Sequence, residues 1–208
     1  VQQLDMGGSH RGDAIFGFLQ GSGSGTQIAA VVVRAPPGEF VTDAPLSWIK
    51  TARIPLQWEV PLAGAGKLTY SILVDDREVA ENITSSEYAL SPSQVGEGVH
   101  TLQVEATDSL GQVVDSEPAT LKVDRKPPSV RVSVRGTTVT VRVSDGPKGE
   151  VSGVELGSVK VRFGDGHSAG GRKALRHTYT RAGTYTIVVS ASDNAGNKAT
   201  VRKQVRVS

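Results

Sequence analysis

Apolar and polar residues alternate along most of this chain. In the stretch Arg53-Ile54-Pro55-Leu56-Gln57-Trp58-Glu59-Val60, the large apolar side chains fall on even positions. A period of two turns Ile54, Leu56, Trp58 and Val60 to one buried face of a strand. Leu68 to Val74 keeps that parity, Asp75-Asp76 signals a turn, and Arg77 to Ala80 reads as the hairpin partner. Val99 to Ala106 and Ala119 to Val123 supply later strands. Beyond residue 128 the pattern sharpens. Val130, Val132 and Val134 alternate with Arg131, Ser133 and Arg135, and Val139, Val141 and Val143 alternate with Thr140 and Arg142. Val159, Val161 and Phe163 follow, then Tyr185, Ile187, Val189 and Ala191, then Val201, Val205 and Val207. One apolar and one polar face per strand is the mark of sheets packed face to face. No convincing amphipathic helix interrupts the pattern in 44–208. The fold class is therefore all-β, as tandem Ig-like β-sandwiches with an N-terminal β-hairpin segment.

One passage occurs twice. Gly98 to Gly111 reappears 85 residues later as Gly183 to Gly196. Each copy opens on glycine, runs through an alternating strand and closes on Asp-x-x-Gly, at Asp108 and at Asp193. The offset matches one small sandwich, so two related modules stand in tandem. Their expected bounds are 44–124 and 129–208, with Trp58 as the core anchor of the first. Between them lies a linker, 125–128, whose Pro127-Pro128 favours an extended, semi-rigid spacer that sets the modules end to end. Upstream, Asp13 to Gln20 and Gln27 to Arg34 read as strands joined by Gly21-Ser22-Gly23-Ser24-Gly25. A lone hairpin is marginal in water. Residues 1–43 are thus expected to be the end of a larger β domain or an exchanged strand pair. The opening on Val1 suggests a processed or truncated N-terminus.

The second module carries four ordered motifs. They are Phe163-Gly164-Asp165-Gly166, His177-Thr178-Tyr179, Ala182-Gly183-Thr184-Tyr185 and Asp193-Asn194-Ala195-Gly196. Together they resemble the PKD domain, with Phe163 where that family usually has Trp. The resemblance implies an Ig-like sandwich of the kind found mostly in extracellular proteins, with Phe163, Asp165, His177, Tyr179 and Tyr185 as structural residues. The first module is similar to bacterial Ig-like or fibronectin-III-like domains but lacks the Gly-Asp-Gly and His-x-Tyr motifs. Residues 1–43 resemble the tail of a larger β-rich repeat domain such as a propeller.

Charge adds something the alternation does not. The net charge of +2 hides a polarity: 1–126 hold 9 basic and 16 acidic residues (−7), and 127–208 hold 14 and 5 (+9). Arg131, Arg135, Arg142, Lys160, Arg162, Arg202 and Arg206 occupy outward strand positions, and Arg172, Lys173, Arg176 and Arg181 read as loop charge. A solvated face that resists edge aggregation is the plain reading. The functional one is attraction to an anionic polysaccharide or cell-wall polymer, or to the acidic half of another copy, head to tail. Nucleic acid is disfavoured, because few aromatics alternate with the bases.

Candidate chemistry is sparse. There is no cysteine, so the sandwiches lack the inter-sheet disulfide of antibody domains, and thiol catalysis is excluded. No Gly-x-Ser-x-Gly elbow or phosphate-cradling glycine loop occurs. Asp75-Asp76 is explained by a turn, and Gly164-Asp165-Gly166 and Asp193 to Asn197 read as turns whose Asp caps local backbone. His10, His100, His167 and His177 form no close metal-like pair by spacing; His100 replaces Tyr185 in the repeat and is expected to pack. Arg11-Gly12-Asp13 and the sequon Asn82-Ile83-Thr84 carry little information. No run of 18 apolar residues exists, so no helix-type membrane insertion is expected. The expectation is a bacterial, secreted or cell-surface, non-enzymatic protein without cofactor or metal. Its role would be structural or adhesive: a rigid spacer or a subunit of a surface assembly. The alternative is a carbohydrate- or wall-binding accessory module of a secreted hydrolase, for which Trp48 is the tryptophan not assigned to a core strand.

Overall fold

A computed structural model describes residues 2–8, 13–22, 25–62 and 64–208, with side chains for 13–17, 30–62 and 64–208. Its regular elements are all strands. Arg11 and Gly12 of the tripeptide motif, His10, and Gly23 and Ser24 of the glycine–serine turn lie outside the described residues. Chain contacts divide the protein into two compact units, residues 1–44, 55–90 and 101–120 in one, residues 45–54, 91–100 and 121–208 in the other.

In the first unit, β1 (Gln2–Gly8), β2 (Ala14–Ser22) and β3 (Gly25–Val33) form an antiparallel meander. The hairpin read from sequence is therefore three-stranded; β1 lacks the alternation that would have announced it. Ile15 faces Val32 and Phe16 faces Val31, so the strands pair within their own chain. The apolar side chains of that pairing stay open to solvent, Ile15 at 49% and Val32 at 51%.

The strands between Thr42 and Val123 form a sandwich. One sheet runs β10 (Val113–Asp115), β9 (Gly98–Thr107), β6 (Thr69–Val74), β7 (Arg77–Ile83), with β11 (Ala119–Val123) also beside β9. The other runs β4 (Thr42–Asp43), β5 (Ile54–Trp58), β8 (Glu87–Leu90). Leu56 and Trp58 are buried as the parity demanded, and Trp58 meets Tyr70 of the facing sheet edge-on at 5.2 Å. Val60 departs from the expectation: β5 ends at Trp58 and Val60 is 60% exposed. Once the ladder stops, parity no longer dictates a face. The β6–β7 hairpin turns at Asp75-Asp76, both at positive φ (52° and 60°). That pair matches the twist of the strands it joins, and Asp tolerates it because a short polar side chain bonds locally.

In the second unit two sheets enclose a core. One is β12 (Ser129–Arg135), β13 (Thr138–Ser144), β16 (Ala174–Thr178). The other is β15 (Ser168–Gly170), β14 (Val154–Arg162), β17 (Gly183–Asp193), β18 (Lys198–Val207). Val132, Val139, Val141 and Val143 from the first meet Val159, Val161, Ile187 and Val189 from the second, with Phe163 and Tyr179 between them. Val134 is the exception among the inward valines, exposed near the strand end. The segment 125–128 lies inside this unit and is held there. Arg125 N donates to Glu97 Oε2 at 2.7 Å, its guanidinium donates to the carbonyls of Thr51 and Val95, and Pro128 is buried.

The sequence repeat is a repeat of hydrogen bonds. Gly111 N donates to Asp108 O and Gly196 N to Asp193 O. Gln112 N donates to Asp108 Oδ1 at 2.9 Å, and Asn197 N to Asp193 Oδ1 at 2.8 Å. Each aspartate is buried and closes a turn by accepting backbone N–H groups, the job a short carboxylate does best.

Candidate functional site

Three of the four PKD-like motifs converge in the second unit on one cluster. Phe163 ends the inward row of β14, and His177 comes from β16. Their rings stack with centroids 4.3 Å apart. Tyr179 meets His177 edge-on at 4.7 Å and stacks on Tyr185 at 4.0 Å. The buried Tyr179 hydroxyl donates to Phe163 O at 2.7 Å. Burial, then the nearby Asp165 carboxylate and the Tyr185 hydroxyl, push the Tyr179 hydroxyl up to about 12. It is therefore a donor at any ordinary pH.

Asp165 sits at the rim of this cluster. Its Oδ2 lies 2.6 Å from His177 Nε2 and 3.3 Å from His167 Nδ1, and its Oδ1 accepts from His167 N. Burial alone would raise the Asp165 carboxyl, but the His177 hydrogen bond and the His167 N–H outweigh it and hold the carboxyl below its usual range. Asp165 thus does cap local backbone, as the turn reading expected. The spacing did not disclose that His167 and His177 meet on the same carboxylate oxygen; the separation of 12 residues between Asp165 and His177 is closed only by the packing of the two sheets.

A second set of ionisable groups gathers where no spacing pattern pointed. Carboxylate oxygens of Asp124, Asp145 and Asp193 lie within 4.8 Å of one another. Asp124 and Asp193 are buried, and their oxygens accept from Ser152 N and from Asn197. Burial, then the charges of Asp124 and Asp193, push the Asp145 carboxyl above its usual range. By donor chemistry this trio suits a hard cation, and Asp165, His167 and His177 suit a softer one.

The basic residues fall on two opposite outer faces of the second unit, because each sheet turns its own polar row outward. On β12-β13-β16, Arg131 stands directly across from Arg142, and Thr140 from Arg176. Arg135 lies farther along β12. Arg176 is a strand residue, correcting the loop expected for it. On the other sheet, Arg162 and Arg202 flank Val188 in one row, Lys160 flanks Ser190 in the next, and Arg206 faces Thr184. Arg172 and Lys173 lie in the turn before β16, as expected. Arg131, Arg142 and Lys173, with the hydroxyls of Ser129 and Ser144, line an open groove of about 450 Å³. Among the described residues none of these three cations makes an ion pair. Trp48 is half-buried, and the described tryptophans and tyrosines include no exposed ring.

Residues 131–207 match the family model described as PKD domain. Such domains are modules typical of extracellular and surface proteins, and they are typically non-catalytic. None of the curated proteins matches the chain. Among solved structures, the PKD1 domain of the Vibrio cholerae metalloprotease PrtV aligns at 23% identity over 39% of this chain and 95% of its own, with a TM-score of 0.31. The FN1–FN3 domains of chicken CNTN1 align at 14% identity over 94% and 77%, with a TM-score of 0.35. Fibronectin(III)-like modules of Clostridium thermocellum CbhA align at 15% identity over 81% and 92%, with a TM-score of 0.38. These superpositions are loose and carry no functional weight.

Proposed function

We propose that this chain is a non-enzymatic module of a secreted or cell-surface protein, structural and adhesive in role, that holds an anionic polymer on the basic face of its PKD domain. The observation that carries this reading is the Arg131–Arg142 pair. Like charges directly opposite on an antiparallel ladder destabilise it, and Lys173 adds a third positive charge beside them. A fold that keeps such an arginine pair without an ion-pair partner among the described residues has a use for it, and an acidic polysaccharide or wall polymer supplies the missing charge. The half-buried Trp48 and the lack of exposed tryptophan or tyrosine rings among the described residues argue for charge over ring stacking as the means of recognition. The accessory module of a secreted hydrolase is the same chemistry attached to an enzyme.

The test is retention of the chain on a sulfated polysaccharide column, eluted by salt. Wild type should elute late, because exposed charges act over a Debye length of about 10 Å at 0.1 M salt. Arg142→Glu should elute at markedly lower salt. Equal elution of wild type and variant would remove the basis of the proposal.

A further inference from the structure

We propose that Asp165, His167 and His177 bind a divalent transition-metal ion of the zinc, nickel or copper type. The three side chains present two imidazole nitrogens and one carboxylate oxygen, all within 4.8 Å of one another. Two-nitrogen, one-oxygen sets suit these ions, whereas calcium and magnesium take oxygen shells. A tetrahedral ion with bonds of about 2.1 Å holds its donor atoms about 3.4 Å apart. The His167–Asp165 separation of 3.3 Å already meets that spacing. The His177–Asp165 contact, at 2.6 Å, is a hydrogen bond and must open by several tenths of an ångström. The metal then takes the place of the proton between Nε2 and Oδ2, and the imidazole carries its proton on Nδ1.

The site combines a rigid ligand with an adjustable one. His177 is fixed by the Phe163 stack and the Tyr179 edge contact, on a strand, with its side chain 14% exposed. His167 stands in the turn, 71% exposed, free to complete the shell and to leave a fourth position to water or an external ligand. Asp165 is already ordered by the His167 N–H at its other oxygen, the kind of outer contact that orients a metal ligand. Nothing in the anionic-polymer reading requires the ion; it would clip the Gly164–His167 turn to β16.

The experiment is isothermal titration of the tag-free chain with zinc, repeated on His167→Ala and His100→Ala. Wild type and His100→Ala should each take up one ion per chain, and His167→Ala should bind about tenfold more weakly or worse. Cobalt in place of zinc should give the visible absorption of a four-coordinate ion in wild type and His100→Ala but not in His167→Ala. Zinc should also raise the urea midpoint of wild type and leave that of His167→Ala unmoved. The exposure of His167 makes its loss harmless to folding, which circular dichroism checks. No zinc uptake, equal uptake by His167→Ala, or uptake abolished instead by Asp145→Asn would each overturn the assignment.

Discussion

Gly164 has no room for a side chain. Its φ is +87°, and a Cβ there would stand 2.6 Å from Thr186 O. Gly164→Ala should therefore destabilise the second unit by about 1–3 kcal/mol, read as a lowered urea midpoint. The buried aspartates make a contrast in sign. Burial alone would raise Asp108, but N–H groups of Ala65, Gln112, Leu110 and Gly111 hold it below its usual range. Its stabilisation is complete above the ordinary aspartate value and is lost as pH falls through the depressed folded value. Asp145 runs the other way: its raised value means that the fold gains stability as pH falls from that value toward the ordinary one. Urea midpoints between pH 7 and pH 3 should separate the two. Asp108→Asn should lose midpoint at neutral pH and flatten the acid decline, and Asp145→Asn should remove a rise on acidification. Asp108 was readable as a turn residue from the Asp-x-x-Gly repeat. Asp145 was not, because nothing in its local sequence tells that Asp124 and Asp193 come near it.

Strands carry the next prediction. Arg131 of β12 faces Arg142 of β13. Arg131→Glu turns a repulsive cross-strand pair into an attractive one and should stabilise the chain by about 0.2–1 kcal/mol. The same substitution should weaken retention on the sulfated column. Higher stability with lost binding is an outcome that a merely structural arginine would not produce. Alternation placed the inward valines of β13 and β14 correctly, because both faces of a strand are written in its own residues. It misjudged Val60 and missed β1. Where a ladder ends, and whether a third strand joins a hairpin, depend on what lies alongside.

Across the whole chain, the −7 of residues 1–126 and the +9 of 127–208 predict salt-dependent self-association. Sedimentation at high protein concentration should show a larger species at low salt that disappears at high salt; a monomer under both conditions would leave the basic faces to other partners. Sequence by itself determined the class of the fold, the twice-used strand and Asp turn, the PKD motifs and the sign of each half. All of these are local periods or sums, legible residue by residue. Only the tertiary structure decided that the basic residues divide between two faces, since β12 and β14 point their polar rows in opposite directions. It alone joined Asp165 to His177 and closed Asp124, Asp145 and Asp193 on one another. Such meetings arise from sheet pairing and packing between distant segments, and no spacing along the chain encodes them.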